Sequence, residues 1–141
     1  MKRWPAVIVG VIVIWNASYC TPGDPKFNQY YIAGEQLYQV HCANCHQKDG
    51  KGLRRVYPPV ANSDFLKGNM SRVICGMKYG MTGEIIVNGE MYHQKMPGVI
   101  SLTELELAEI ATYLYNSWGG EYGLIDVSEV RPGLDSCSQR R

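Results

Sequence analysis

Apolar and polar positions along the 141-residue chain fall into distinct patterns. Ala6 to Trp15 is a short apolar run behind Lys2 and Arg3, patterned as an export signal. It is too short to span a bilayer, which takes about 20 residues. Tyr30, Tyr31, Gly34, Leu37, Tyr38 and Val40 then recur at helical spacing and predict a helix over 29–41. Gly34 inside it costs about 1 kcal/mol relative to alanine, which predicts a second helix crossing closely at that point. Ala61 to Lys67 reads as a loop and short helix capped by Asn62 or Ser63, and Ser71 to Lys78 as another short helix. From Glu84 to His93, β-prone residues flank Asn88-Gly89, the signature of a hairpin with a type I′ turn. It is the one β element predicted. Thr103 and Glu106 are spaced as a capping box. They open a helix with one apolar face of Leu107, Ile110, Ala111, Leu114 and Trp118, which Gly119-Gly120 ends. Residues 121–141 read as an extension with a helical turn or two around Ser128. No internal repeat is visible.

Length adds a domain count: one domain plus a leader. The expected division is a leader over 1–19, a spacer over 20–28, a domain over 29–120 and an extension over 121–141. Thr21-Pro22-Gly23-Asp24-Pro25 is turn-rich and suited to holding a domain off a membrane. Ala17-Ser18 before Tyr19-Cys20 resembles a bacterial lipoprotein leader, in which Cys20 becomes the lipidated first residue of the mature chain. Tyr19 departs from that pattern, where a small residue is usual. Cleavage nearby and an uncleaved anchor are the alternatives. All three send the protein to the periplasmic side. Without Lys2 and Arg3 the formal net charge of +1 becomes −1. No basic run precedes Arg140-Arg141, so nothing suggests nucleic acid. Five cysteines suit an oxidising compartment.

The chemistry begins at Cys42-Ala43-Asn44-Cys45-His46. Cys-x-x-Cys-His is the attachment sequence for a c-type haem. Two thiols at that spacing each add across a haem vinyl group, and the following histidine is placed to bind iron. No second Cys-x-x-Cys completes a zinc site, and no preceding strand suggests a redox dithiol. One covalent haem c is therefore expected, with Cys42, Cys45 and His46 as its first partners. The glycine-rich basic loop Gln47 to Arg55 lacks the strand and Gly-Lys-Ser/Thr of a phosphate cradle, and reads as a loop passing a haem edge.

Haem iron with histidine on one side takes methionine, histidine or an open position on the other. Met70, Met77, Met81, Met91, Met96 and His93 all lie downstream. Met96 stands apart because Pro97 and Gly98 constrain its loop and bias its backbone to an extended shape. His93 and Met91 come next, and His41 reads as a surface residue. Cys75 and Cys137 remain, as a disulfide tying the extension to a helix near the haem or as two free thiols.

Residues 34–118 resemble a class I monohaem cytochrome c. The carriers are Gly34 and Tyr38, Cys42-Ala43-Asn44-Cys45-His46, Tyr57-Pro58-Pro59-Val60, Met96-Pro97-Gly98, and Glu109 to Leu114. The resemblance implies an all-α cytochrome c fold around one covalent haem, with a small two-stranded β-hairpin insert before the axial methionine. It implies that the first and last helices cross at Gly34, with Tyr113 supplying the packing aromatic. It also implies that the histidine N–H is bonded to a proline carbonyl, best matched by Pro58. Lys78 to Ile85, the hairpin, the following methionine and Ser117-Trp118-Gly119 are similar to the bacterial cytochromes c-552 that feed haem-copper terminal oxidases. Met96-Pro97-Gly98 differs, following the commoner class I loop.

The expected function is that of a one-electron carrier, not an enzyme, since no acid–base pair or nucleophile constellation is present. Its expected partners are redox proteins, a terminal oxidase and a quinol-oxidising complex, with the membrane surface reached through a lipid on Cys20. Lys48, Lys51, Arg54, Arg55 and Lys95 suggest a face that steers an acidic partner. A haem subunit of a dehydrogenase or reductase, and a gas sensor with a labile Met96, are the competing readings.

Overall fold

The first helix, α1 (Pro25–His41), starts where its capping chemistry starts. The computed structural model describes residues 24–138, so the expected leader and Cys20 lie outside the described residues. Asp24 accepts a hydrogen bond from the Lys26 N–H at 3.0 Å, and Pro25 occupies the first turn. Cap and proline together make a helix start. The helix thus begins four residues earlier than periodicity alone suggests.

Gly34 on α1 meets α5 (Glu104–Leu114) backbone to backbone. A Cβ at position 34 would run into the Glu109 carbonyl. The predicted helix crossing is therefore present, though its point of contact is main chain, with the Tyr113 ring packed beside it. Tyr113 stacks edge-on against Tyr31 at 5.3 Å and tilts onto Tyr38 at 5.5 Å between ring centres. Those two rings sit one turn before and one turn after the glycine on α1, bracketing the crossing. Such ring pairs add about 0.5–1.5 kcal/mol each beyond area burial.

The capping box opens α5 as expected: Glu106 N–H donates to the Thr103 hydroxyl at 3.2 Å, and Thr103 N–H donates to the Glu106 carboxylate at 2.7 Å. The helix is not one-faced, however. Every residue from Leu107 to Leu114 is buried. The reason is α6 (Val127–Ser138), which packs on α5 and on α4 (Met70–Tyr79), so α5 is covered from several sides. At 12 residues α6 is longer than the turn or two expected around Ser128. A disulfide between Cys75 on α4 and Cys137 on α6, with Cα atoms 5.8 Å apart, staples the two together. Ion pairs from Lys26 to Asp126 and from Arg131 to Glu104 fasten α6 to α1 and α5 at the surface. A π-helical turn, Tyr115–Gly119, ends α5. Asn116 directs the chain onward, donating to Gly123 O and accepting from the Tyr122 and Gly123 N–H groups.

The remaining elements surround a cleft. After α2 (Ala43–His46) come α3 (Asp64–Gly68), capped by the Ser63 hydroxyl, and α4. The hairpin pairs β2 (Ile85–Val87) with β3 (Glu90–Tyr92), and Asn88 and Gly89 both have positive φ, as a type I′ turn requires. A second, unpredicted pair joins β1 (Gly80–Met81) to β4 (Met96–Pro97), with Met81 opposite Met96. Two residues per strand and a Gly-Met/Met-Pro composition give no alternation to read. Among the described residues, no helix is long and apolar enough to cross a membrane.

Candidate functional site

Tyr38 joins α1 to the haem-attachment motif. Its buried phenol donates to the Gln47 carbonyl at 2.7 Å, closing the chain just after α2. The short α2 carries Cys45 and His46 and follows directly on Cys42. All three line one partly open cleft. Its other walls are mostly apolar, including Val60, Leu66, Val73, Ile85 and Leu114. Neither Cys42 nor Cys45 is in a disulfide. Burial, with the neighbouring Cys45, pushes the Cys42 thiol up to about 12, so it stays protonated.

The His46 ring is held by one bond. Nδ1–H donates to the Pro58 carbonyl at 3.0 Å, leaving Nε2 as the free ring nitrogen. Burial lowers the His46 pKa, partly opposed by that bond, so the ring is kept neutral and available as a donor. Gly52 ties this loop back to His46 and leaves the space beside the Pro58 carbonyl open. The Gly52 N–H donates to the His46 carbonyl at 2.9 Å, and a Cβ on Gly52, whose φ is +67°, would lie 2.6 Å from the Pro58 oxygen. Gly50 O accepts from Val60 and Ala61 and closes the loop. Gly52 was not singled out by sequence as part of the site. Its signal is the glycine pair after the motif, read only as a passing loop.

Met96 lines the same cleft, presented by β4. Its strand is tied back to α4 through Val99 N–H donating to Met77 O at 2.9 Å. Lys78 adds two bonds, its ammonium donating to Ile100 O at 2.6 Å and Leu102 O at 2.5 Å. Met77 and Met81 also line the cleft. The two runner-up donors do not. His93 is exposed and meets Glu84 at 3.2 Å, and Met91 points outward from the hairpin, 49% exposed. Both sit on or beside β3, in a hairpin whose buried positions are taken by Val87 on β2 and Tyr92 on β3. Cys75 turns to Cys137 rather than to the cleft, and Gly76 lies beneath the Met81 side chain. Of the basic residues, Lys95 lines the cleft, while Lys51 pairs with Asp49 at 3.1 Å and Arg55 with Glu90 at 3.8 Å. Two of the five expected steering charges thus have acidic neighbours.

Comparison with known proteins decides what this arrangement belongs to. Residues 31–118 match the Cytochrome c family. The chain belongs to the cytochrome c family. It is 31% identical over 90 residues to cytochrome c-552 of Thermus thermophilus, a stretch covering 61% of this chain and 68% of that protein. The fructose dehydrogenase cytochrome subunit of Gluconobacter japonicus is 32% identical over 111 residues, 71% of this chain and 22% of the relative. The alcohol dehydrogenase (quinone) cytochrome c subunit of Gluconobacter oxydans is 26% identical over 107 residues, 70% of this chain and 21% of the relative. The cytochrome c chain thus spans about a fifth of the length of these dehydrogenase subunits.

As a cytochrome c, the protein carries covalently bound haem c and is an electron carrier. The residues present fit that group. Two unpaired thiols, a neutral imidazole with its second nitrogen already bonded, and thioethers share one apolar cleft. That donor set, nitrogen and sulfur, is of the kind that holds haem iron.

Proposed function

We propose that this cytochrome c is a one-electron carrier in which His46 and Met96 would both ligate the haem iron and Cys42 and Cys45 would be the attachment points. The observation that carries the reading is the shared cleft: the bonded His46 ring and the strand-held Met96 line it together. When bound, the haem supplies a single-electron couple between ferric and ferrous iron. The residues of the chain set how readily it is used. Pro58 fixes the orientation of the His46 ring and raises its basicity as a donor. A thioether from Met96 and apolar walls both disfavour the extra positive charge of the oxidised state, which raises the potential. Tyr38 and Leu114 close the inner wall against water.

Export to the periplasmic side, with a lipid on Cys20 holding the domain at the membrane, fits the leader and the disulfide. The acceptor in this reading is a haem-copper terminal oxidase, supported by the c-552 similarity. A quinol-oxidising complex is the donor, and Lys48, Arg54 and Lys95 steer the encounter. A second reading, a haem subunit of a dehydrogenase, is favoured by the Gluconobacter relatives. One experiment separates them. The reduced, full-length holoprotein is mixed with membranes containing a terminal oxidase, and copurifying proteins are identified from membranes carrying the native chain. Rapid, salt-sensitive and cyanide-sensitive oxidation with oxidase subunits recovered is expected. Stoichiometric recovery of a dehydrogenase subunit with no direct oxidation would overturn the oxidase-donor reading.

A further inference from the structure

We propose that Met81 is a second thioether donor for the same iron position, able to take it when Met96 is lost as a donor. The inference rests on the reading of Met96 as the axial donor. Met81 and Met96 are directly opposed in the β1–β4 ladder. Residues directly opposite in an antiparallel pair project from one face, with Cβ atoms about 4.5–5.5 Å apart. Both side chains line the cleft that His46 lines.

Space and flexibility favour the exchange. A Cβ at position 76 would sit 3.2 Å from both Sδ and Cε of Met81, so Gly76 leaves the room that this side chain occupies. Methionine is unbranched, with three rotatable bonds. Rotation about them moves Sδ without a change of backbone, which is the movement the exchange needs. The ladder does not depend on the Met96 side chain. It is held by main-chain pairing, by Val99 N–H on Met77 O and by Lys78 on the Ile100 and Leu102 carbonyls. Met77, the third thioether of the cleft, is 5% exposed and built into the helical core, so it lacks this freedom. The exchange substitutes one thioether lone pair for another; no proton or electron moves.

The test uses the full-length holoprotein as Met81→Leu, Met96→Ala and the double variant. It reads the weak red thioether–iron band of the ferric form and carbon monoxide binding by the ferrous form. Met81→Leu is expected to keep the parent spectrum and exclude carbon monoxide. Met96→Ala is expected to keep a thioether band, shifted from the parent, and the double variant to lose it and bind carbon monoxide. Loss of the band in Met96→Ala, with carbon monoxide bound as readily as in the double variant, would overturn the role of Met81 and leave Met96 standing. If Met81→Leu alone lost the band while Met96→Ala kept the parent spectrum, the Met96 reading itself would fall. A band surviving in the double variant would remove both. Should Met96→Ala not fold, Met96→Leu, a nearly volume-conserving change, is read the same way.

Discussion

At the scale of single residues, the Pro58 carbonyl shows how a main-chain atom becomes part of a functional site. Proline cannot donate, so its carbonyl is the group the loop offers, and His46 takes it at 3.0 Å. Gly52 leaves room for that carbonyl by having no side chain. Gly52→Ala places a Cβ against the Tyr57 and Pro58 carbonyls and forces an L-residue to positive φ. A loss of about 2 kcal/mol or more in unfolding free energy is expected, from the left-handed backbone and the overpacking together. Denaturant melts of the holoprotein measure it, and an unchanged midpoint would show that the loop is looser than the structure implies. The attachment motif was legible in the sequence because its chemistry needs a fixed spacing. Gly52 and Lys78 were not, since each acts through a contact with main chain that no motif spacing announces, nearby in the loop for Gly52 and distant in sequence for Lys78.

At the scale of elements, the crossing of α1 and α5 carries the core. Gly34→Ala pushes a methyl into the Glu109 carbonyl and must separate the helices. The expected cost is about 1–3 kcal/mol, against the gain of about 1 kcal/mol that alanine brings to an isolated helix. Thermal unfolding gives the sign directly: a lower midpoint is expected, and a higher one would mean that propensity outweighs packing here. Glu109 adds a pH dependence to the same helix. Burial, with Glu106 nearby, raises its carboxyl pKa. The fold therefore prefers the protonated form. Its contribution is fully present below the ordinary carboxylate range and is lost as pH rises through the raised value. Glu109→Gln removes that loss, so its melting temperature is expected to gain on the parent between pH 4 and pH 7. A constant difference would contradict the burial argument.

The elements also show where sequence reading ran short. The hairpin and the Thr103–Glu106 box were legible because local chemistry specifies them. The start of α1 was hidden by reading Asp24-Pro25 as a spacer when it is a cap and first turn. Pro132-Gly133 argues against a helix, yet α6 runs through it. Its stability comes from elsewhere: Val130 is fully buried, Gly133 lies on Ser71, and Cys137 is bonded to α4. The β1–β4 pair was invisible because it is created by tertiary approach of two loops.

At the scale of the whole molecule, α6 behaves as a clamp across the back of the cleft. It holds α4, which supplies Val73 and Met77 to the cleft wall. The Cys75–Cys137 bond closes a separation of 62 residues. Replacing both cysteines by serine is expected to lower unfolding free energy by about 2–4 kcal/mol, read as the shift in denaturant midpoint under non-reducing conditions. An unchanged midpoint would mean that the ion pairs and packing of α6 suffice alone. With the clamp in place, the donors gathered from α2, β4 and the Pro58 loop face one cleft from three separate parts of the chain.

The most direct test of that arrangement is the optical behaviour of the holoprotein. A closed His46/Met96 site predicts a ferric spectrum with the weak red thioether–iron band and a ferrous form that does not bind carbon monoxide. A ferric spectrum without that band, together with ready carbon monoxide binding by the ferrous form, would contradict it.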